Sequence, residues 1–325
     1  MKLADRHDEI DPDRMDRTDF HHEAFFYGDT DEFLAGALPF LRDGLEAGEP
    51  ALVAVPRSRA EALRGELGAE ADEVGFVDME ELGRNPSRII PAWQHFVDEH
   101  GGSDRPVRGI GEPVWPGRGA EEIDECERHE ALLNHAFWDG PAWRLLCPYD
   151  SSALDDGVLE AARDTHAVVS GSWASLDEER EREIDPRAIS PFAGVLPGHP
   201  PDASRFPFDR ALLHEARTLI GSAAEAAGLS AVRSFDLVAA VGELTANSVI
   251  HGGGSGVLTH WREDRALVVQ VEDAGVIDEP LSGRVRPSPA DHGGRGLWMV
   301  NHLCDLAQVR SGEGGTTVRV RMSLA

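Results

Sequence analysis

Glu243-Leu-Thr-Ala-Asn247-Ser-Val-Ile-His251-Gly252 is the stretch on which the reading of this chain turns. It closes a segment in which Phe235, Leu237, Val238, Val241 and Leu244 recur at helical spacing, with Ser230 as N-cap and Gly252–Gly254 as the stop. On such a helix Glu243 and Asn247 share one face, so a carboxylate and a carboxamide address the same point. A Glu/Asn pair is common on helices, and its neighbours give this one its meaning. Upstream, Asp209–Ala227 reads as an amphipathic helix (Leu212, Leu213, Ala216, Leu219, Ile220) ending at Gly228. Downstream, strands Val257–Arg262 and Ala266–Glu272 meet at a tight turn, and the second runs into Asp273-Ala274-Gly275. An aperiodic, Pro- and Arg-rich segment, Val276–Asp291, leads to Gly293-Gly-Arg-Gly296 and a helix Leu297–Cys304. A hairpin, Ala307–Ser311 with Thr316–Met322, closes the chain.

The whole chain has 325 residues, enough for two or three domains with their own cores. Its 59 Asp+Glu against 31 Lys+Arg give a net charge of −28, which disfavours non-specific binding to nucleic acid or anionic lipid. Lys2 is the only lysine, so a P-loop lysine is excluded and arginine must do any cationic work. No apolar run reaches membrane-spanning length, and residues 1–19 lack the apolar core of a secretory signal. Cys126, Cys147 and Cys304 are widely spaced, without a CxxC pair, which fits a reducing cytoplasm rather than a disulfide framework.

Residues 1–18 read as a loose, charged tail. The next segment alternates strand and helix: a strand at His22–Tyr27, a helical run from Phe33 to Leu45, an apolar strand Ala51–Val55, and a helix around Arg59–Leu67. Strands at Val74–Val77, Val107–Ile110 and Trp143–Cys147, with helices near Ser87–Glu99 and Glu121–Phe137, continue it, so a largely parallel sheet is expected over residues 19–175. A polar stretch with five prolines, residues 176–205, reads as a semi-extended linker, and residues 206–325 form the second unit. The charge divides unequally, about −25 before residue 206 and about −3 after it.

The ordered set in the second unit resembles the Bergerat-fold (GHKL, HATPase_c) ATP-binding domain. Glu243–Gly252 resembles its N-box, Asp273-Ala-Gly275 its G1 box, Gly293-Gly-Arg-Gly296-Leu297 its G2 box and Gly315-Thr-Thr317 its last box. The short form and Gly-Arg-Gly-Leu-Trp-Met-Val-Asn-His-Leu-Cys-Asp resemble anti-sigma-factor serine kinases of the RsbW/SpoIIAB type. The resemblance implies an α/β sandwich with three helices on one face of a mixed sheet, binding ATP and Mg²⁺. Asn247 would offer its amide oxygen to Mg²⁺, and Glu243 would orient or deprotonate the attacking hydroxyl. Asp273 would accept the adenine amine, with Gly275 letting the backbone approach the base and Thr316 or Thr317 backing the contact. Gly294, Arg295, Gly296 and Leu297 would open a helix N-terminus toward phosphate. Val276–Asp291 would be the ATP lid, with Arg284, Arg286 or Arg295 as its cations. Implied partners are a STAS-type anti-sigma antagonist, a sigma factor and a second copy of the chain. Two departures stand out: the G1 box lacks a second glycine, and no upstream helix offers a phosphoacceptor His in a Ser/Thr-His-Glu setting. A serine/threonine kinase is therefore ahead of a partner-dependent histidine kinase and of a nucleotide-gated binding module without phosphotransfer.

The first unit resembles the MEDS (DcmR-type sensory) domain through His22-Glu-Ala-Phe-Phe-Tyr27, Phe33–Pro56, Gly109-Ile-Gly-Glu-Pro-Val-Trp115, His129–Asn134 and Cys147-Pro-Tyr-Asp150. That family is similar to the RecA/KaiC core, which implies a sensory α/β domain. Where such a core has its phosphate loop, this chain has Gly28-Asp-Thr-Asp-Glu-Phe33, with three acids and no lysine. His21, His22, Cys126, His129 and His166 offer metal- or haem-ligand atoms without a standard zinc spacing, and packing in the core is the other reading. Glu112 and Trp115 either line a small-ligand pocket or belong to the core.

Overall fold

The computed structural model describes residues 20–101, 106–138, 140–171, 190–263, 265–287 and 294–324. The expected tail at 1–18 and most of the expected linker, residues 176–189, lie outside the described residues.

Strand and helix alternate through the first domain. The elements are β1 (Phe20–Tyr27), α1 (Thr30–Glu46), β2 (Ala51–Val55), α2 (Arg57–Leu67), β3 (Val74–Asp78), α3 (Met79–Leu82) and α4 (Ile89–His100). After these come β4 (Val107–Gly111), α5 (Ala120–Phe137), β5 (Trp143–Asp150), α6 (Asp156–Thr165) and β6 (Val168–Gly171). The six strands pair in the order β3-β2-β4-β5-β1-β6, and every pairing is parallel. A parallel sheet needs helices over both faces, which is why β2 reads as an unbroken apolar run. Phe33, Ala37 and Leu41 of α1 and Leu63 and Leu67 of α2 seal one face. Ile90, Trp93 and Val97 of α4, Leu132 and Leu133 of α5 and Leu159 of α6 seal the other. Short α6 and β6 carried too weak a pattern to be read from sequence.

The turn after β1 is held by its own acids. Asp29 caps α1 by accepting from Glu32 N–H at 2.9 Å, and the Glu32 carboxylate takes Gly28 N–H at 2.7 Å. Two of the turn's N–H groups are thereby bonded to carboxylates.

The second domain comprises β7 (Ser204–Asp209), α7 (Leu213–Ala227), α8 (Ala231–Ile250), β8 (Ser255–Glu263), β9 (Ala266–Asp273), α9 (Arg295–Leu303), β10 (Leu306–Gly312) and β11 (Gly315–Ser323). Its sheet runs β10-β11-β9-β8-β7, and α7, α8 and α9 pack their apolar residues against it. Every pairing is antiparallel, which corrects the mixed sheet implied by resemblance. β7 also escaped the sequence reading, because Pro207 interrupts it and only Phe208 of its six residues is buried. As the edge strand, pairing only with β8, it can hold a proline. Ser230 caps α8 through Arg233 N–H, as the sequence reading expects.

Candidate nucleotide site and the clasp on its lid

A cavity of about 300 Å³ opens between α8, the β9 end and the start of α9. Asn247, Asp273, Gly275, Gly294, Gly296, Leu297 and Thr316 line it, together with Ser248, Val271 and Val318. Residues from all four boxes therefore converge on one volume, although they span more than 70 positions of the chain.

Each wall has a local cause. At the end of β9 the Asp273 carboxylate accepts from Ser248 Oγ at 2.6 Å and from Gly275 N–H at 2.8 Å, so both its oxygens are oriented. Gly275 passes so close to the end of α8 that a Cβ would sit 2.8 Å from the His251 carbonyl oxygen and 2.9 Å from Gly252 Cα. Glycine is needed there for close approach. The Thr316 hydroxyl donates to the Gly275 carbonyl at 2.8 Å. Its own oxygen then accepts from Ser311 Oγ at 2.7 Å, and Ser311 Oγ accepts Ile277 N–H at 2.7 Å. This chain ties the turn after β9 and the root of the lid to the final hairpin. Thr317 is the next residue of β11, and because side chains alternate it falls on the other face, outside the lining. Of the two threonines, Thr316 is the one at the cavity.

Gly294 precedes α9 with φ of 79°, a left-handed value that favours glycine. A Cβ on Gly296 would meet Asn247 Nδ2 at 2.8 Å and Glu243 Oε2 at 3.2 Å. The first turn of α9 therefore lies directly against the Glu/Asn face of α8, with the helix N-terminus at the cavity. Glu243 is half-buried beside Gly296 but does not line the cavity itself, and Arg295 is exposed on the same turn, also outside the lining.

The lid has a partner that the sequence did not disclose. Arg284 is buried and turned to the first domain, where its guanidinium meets Glu125 Oε2 of α5 at 3.3 Å. Arg310 of β10 reaches Glu125 Oε1 at 2.8 Å and also contacts Asp124. One turn earlier on α5, Glu121 pairs with Arg321 of β11 at 2.8 Å. Arg88, ahead of α4, donates to the carbonyls of Asn301 (2.9 Å), His302 (2.8 Å) and Cys304 (2.9 Å), capping the C-terminal end of α9. The first domain thus holds the segment after β9 by Arg284 and the C-terminal end of α9 by Arg88. Of the three arginines expected to serve phosphate, Arg284 is committed to this clasp.

The first domain's candidate residues are also dispersed differently from expectation. His22 and His166 meet in the core with Glu130 and Cys147, two residues that the sequence does not mark as ligands. His21 is exposed, and Cys126 and His129 lie outside that group. Glu112, following β4, is buried and receives the Tyr27 hydroxyl at 2.7 Å, while Trp115 stacks on Arg118 at 4.1 Å. Burial pushes the Glu112 carboxyl up to about 8, against the Tyr27 hydrogen bond and Arg59, which lower it. A folded-state value above the unfolded one means that the native chain holds the extra proton, so stability falls as pH rises through this range. The buried imidazoles of His22 and His166, held down to about 3, act in the opposite direction but only below pH of about 6.5. Glu112→Gln, which keeps the Tyr27 bond, is therefore expected to flatten the decline in thermal midpoint between about pH 6.5 and 8. Parallel melting curves of wild type and variant across that window would contradict the assignment.

Residues 21–167 match the family model of MEDS, the methanogen/methylotroph, DcmR sensory domain, and residues 206–322 match that of the histidine kinase-like ATPase domain, a Bergerat-type fold. Among solved structures, the RsbU and RsbW domains of Rv1364c from Mycobacterium tuberculosis align with 20% identity and a TM-score of 0.28. That alignment covers 37% of this chain and 32% of that one. This chain therefore spans about a third of that chain's length. No curated protein matches the chain.

Proposed function

From a chain that carries a MEDS domain followed by a histidine kinase-like ATPase domain, we propose a cytoplasmic signalling kinase that phosphorylates a serine or threonine of a STAS-type anti-sigma antagonist. The observation that carries this reading is the single cavity joining Asp273, Gly275 and Thr316 to Asn247 and the α9 N-terminus, with Glu243 adjoining it. Among the described residues no helix is long and apolar enough to cross a membrane.

The donor set fits Mg·ATP. An oriented carboxylate, Asp273, suits the adenine amine, and the N-terminus of α9 at Gly294 and Gly296, which carries no side-chain cap, suits phosphate oxygens. The Asn247 side-chain oxygen is a hard neutral ligand of the kind Mg²⁺ takes. When bound, Mg·ATP supplies the phosphoryl group to be transferred. Glu243, beside the α9 turn, would orient the incoming hydroxyl and accept its proton. A sigma factor as the protein held in the alternative signalling state, and a second copy of the chain as dimer partner, belong to the same proposal. The first domain would act by tightening or releasing its hold on Arg284 and α9.

Glu243→Ala is the test. With intact ATP binding, transfer to a STAS-domain substrate is expected to fall by about 10²–10⁴-fold, the usual weight of a general base. The product should be an acid-stable phosphoserine or phosphothreonine. An acid-labile phosphohistidine would point to the histidine-kinase alternative. Unchanged control of the partner in the variant would instead favour a nucleotide-gated binding module.

A further inference from the structure

We propose that His22, Glu130, Cys147 and His166 form a closed, four-ligand site for one divalent transition-metal ion of zinc's class in the core of the first domain. The four donors come from four places: β1, α5, β5 and the residue after α6. All four side chains are buried, and their ligand atoms lie within 4.8 Å of one another. The measured edges are His22 Nε2 to Glu130 Oε2 3.0 Å, His166 Nε2 to Glu130 Oε2 3.4 Å, Cys147 Sγ to His22 Nε2 3.4 Å and Cys147 Sγ to Glu130 Oε2 3.8 Å. A tetrahedral zinc with bonds of about 2.0–2.3 Å sets its ligands about 3.3–3.7 Å apart, so these edges need only small adjustment to surround an ion.

The surrounding hydrogen bonds prepare both imidazoles as ligands. Asn134 Nδ2 donates to the Thr165 carbonyl at 2.8 Å, which turns its Oδ1 toward His22 Nδ1 at 3.1 Å. The His166 Nδ1 faces the Ala162 carbonyl at 2.7 Å. Both acceptors are oxygens, so each ring carries its proton on Nδ1 and turns the Nε2 lone pair inward. Outer-shell oxygens fix metal-binding histidines in this manner. His166 Nε2 has no hydrogen-bond partner among the described residues, although it is fully buried. Such orphaned polar atoms are costly unless something else satisfies them.

Charge points to the same class of ligand. Two neutral imidazoles, one carboxylate and one thiolate carry two negative charges, which a divalent cation cancels. A neutral complex suits an enclosed core, where an unbalanced charge is expensive. The thiolate and imidazoles select a softer ion than Mg²⁺ or Ca²⁺, which prefer oxygen. With four protein ligands the first shell is closed, as in structural sites. The ion would tie β1 and β5 to α5, the helix that also carries the Glu125 clasp. An enclosed site loads while the domain folds, so the metal must be supplied during expression.

The full chain, expressed with Co²⁺ in place of Zn²⁺, provides the test. One Co²⁺ per chain is expected, with intense tetrahedral d–d bands and a thiolate-to-cobalt charge-transfer band. Cys147→Ser should lose the charge-transfer band, His166→Ala should lose stoichiometric binding, and Cys126→Ser should change neither. Circular dichroism identifies a variant that fails to fold, and the wild-type spectrum remains decisive if one does. Less than a tenth of an equivalent of metal in folded wild type overturns the proposal. So does a weak octahedral spectrum, or a charge-transfer band that survives Cys147→Ser.

Discussion

Asp273→Asn is expected to weaken ATP binding by about 100-fold or more while leaving the fold intact. The fold should persist because an amide can satisfy the neighbours that now serve the carboxylate. Its oxygen can still accept Gly275 N–H, and its NH₂ can donate to Ser248 Oγ in place of the bond that runs the other way. The ligand loses more. An adenine amine would meet a donor where the wild type presents a charged acceptor, and a charge-assisted bond worth about 1.5–3 kcal/mol becomes a repulsive contact. Discrimination against GTP should fall as well, because a carboxylate repels the guanine oxygen and an amide does not. Equilibrium titration of both nucleotides against both proteins measures this directly. Equal ATP affinity in wild type and variant would remove Asp273 from the site.

The second large effect is expected at the clasp. Glu125 receives Arg284 at 3.3 Å and Arg310 at 2.8 Å, all three buried. Glu125→Ala leaves Arg284 in the interface without its carboxylate and leaves Arg310 with Asp124 alone. Breaking a buried pair from one side costs about 3–5 kcal/mol, most of it the penalty of the stranded charge. The chain relieves that penalty by separating the domains and returning both arginines to water. Calorimetric unfolding should change toward two separate transitions, and trypsin should cut after Arg284 at least about 10-fold faster. ATP should also exchange faster, since the lid loses its anchor on the first domain. Unchanged proteolysis and a single shared transition would mean that the lid is held by something other than Glu125.

Some of this was legible in the sequence, and the reasons follow the range of the contacts. The four-residue spacing of Glu243 and Asn247 fixes their shared helix face without any tertiary information. Gly296 is legible in the same way, since a glycine opening a helix signals close approach, here to Asn247 and Glu243. The apolar run Ala51–Val55 announces a strand covered on both faces, and the parallel sheet follows from the alternation around it. Arg284 shows the limit. In sequence it is one of few cations near a nucleotide loop, whereas its partner lies 159 positions away on a helix of another domain. Both halves carry net negative charge, and no local pattern singles out Glu125 as a partner for the second domain's arginines. The same holds for His22, Glu130, Cys147 and His166, which only the crossing of β1, β5, α5 and α6 brings together. β7 stayed hidden because an edge strand with one buried side chain and a proline lacks the alternation that marks strands.

Phosphotransfer requires the second domain to bind Mg·ATP through the face shared by Asn247 and the α9 N-terminus. Calorimetric titration of the full-length chain with ATP, with and without Mg²⁺, tests that most directly when repeated on Asn247→Ala. Wild type is expected to bind in the micromolar range only with Mg²⁺, and the variant is expected to lose that binding. Absence of binding by folded wild-type protein, or binding of equal strength in Asn247→Ala, would contradict it.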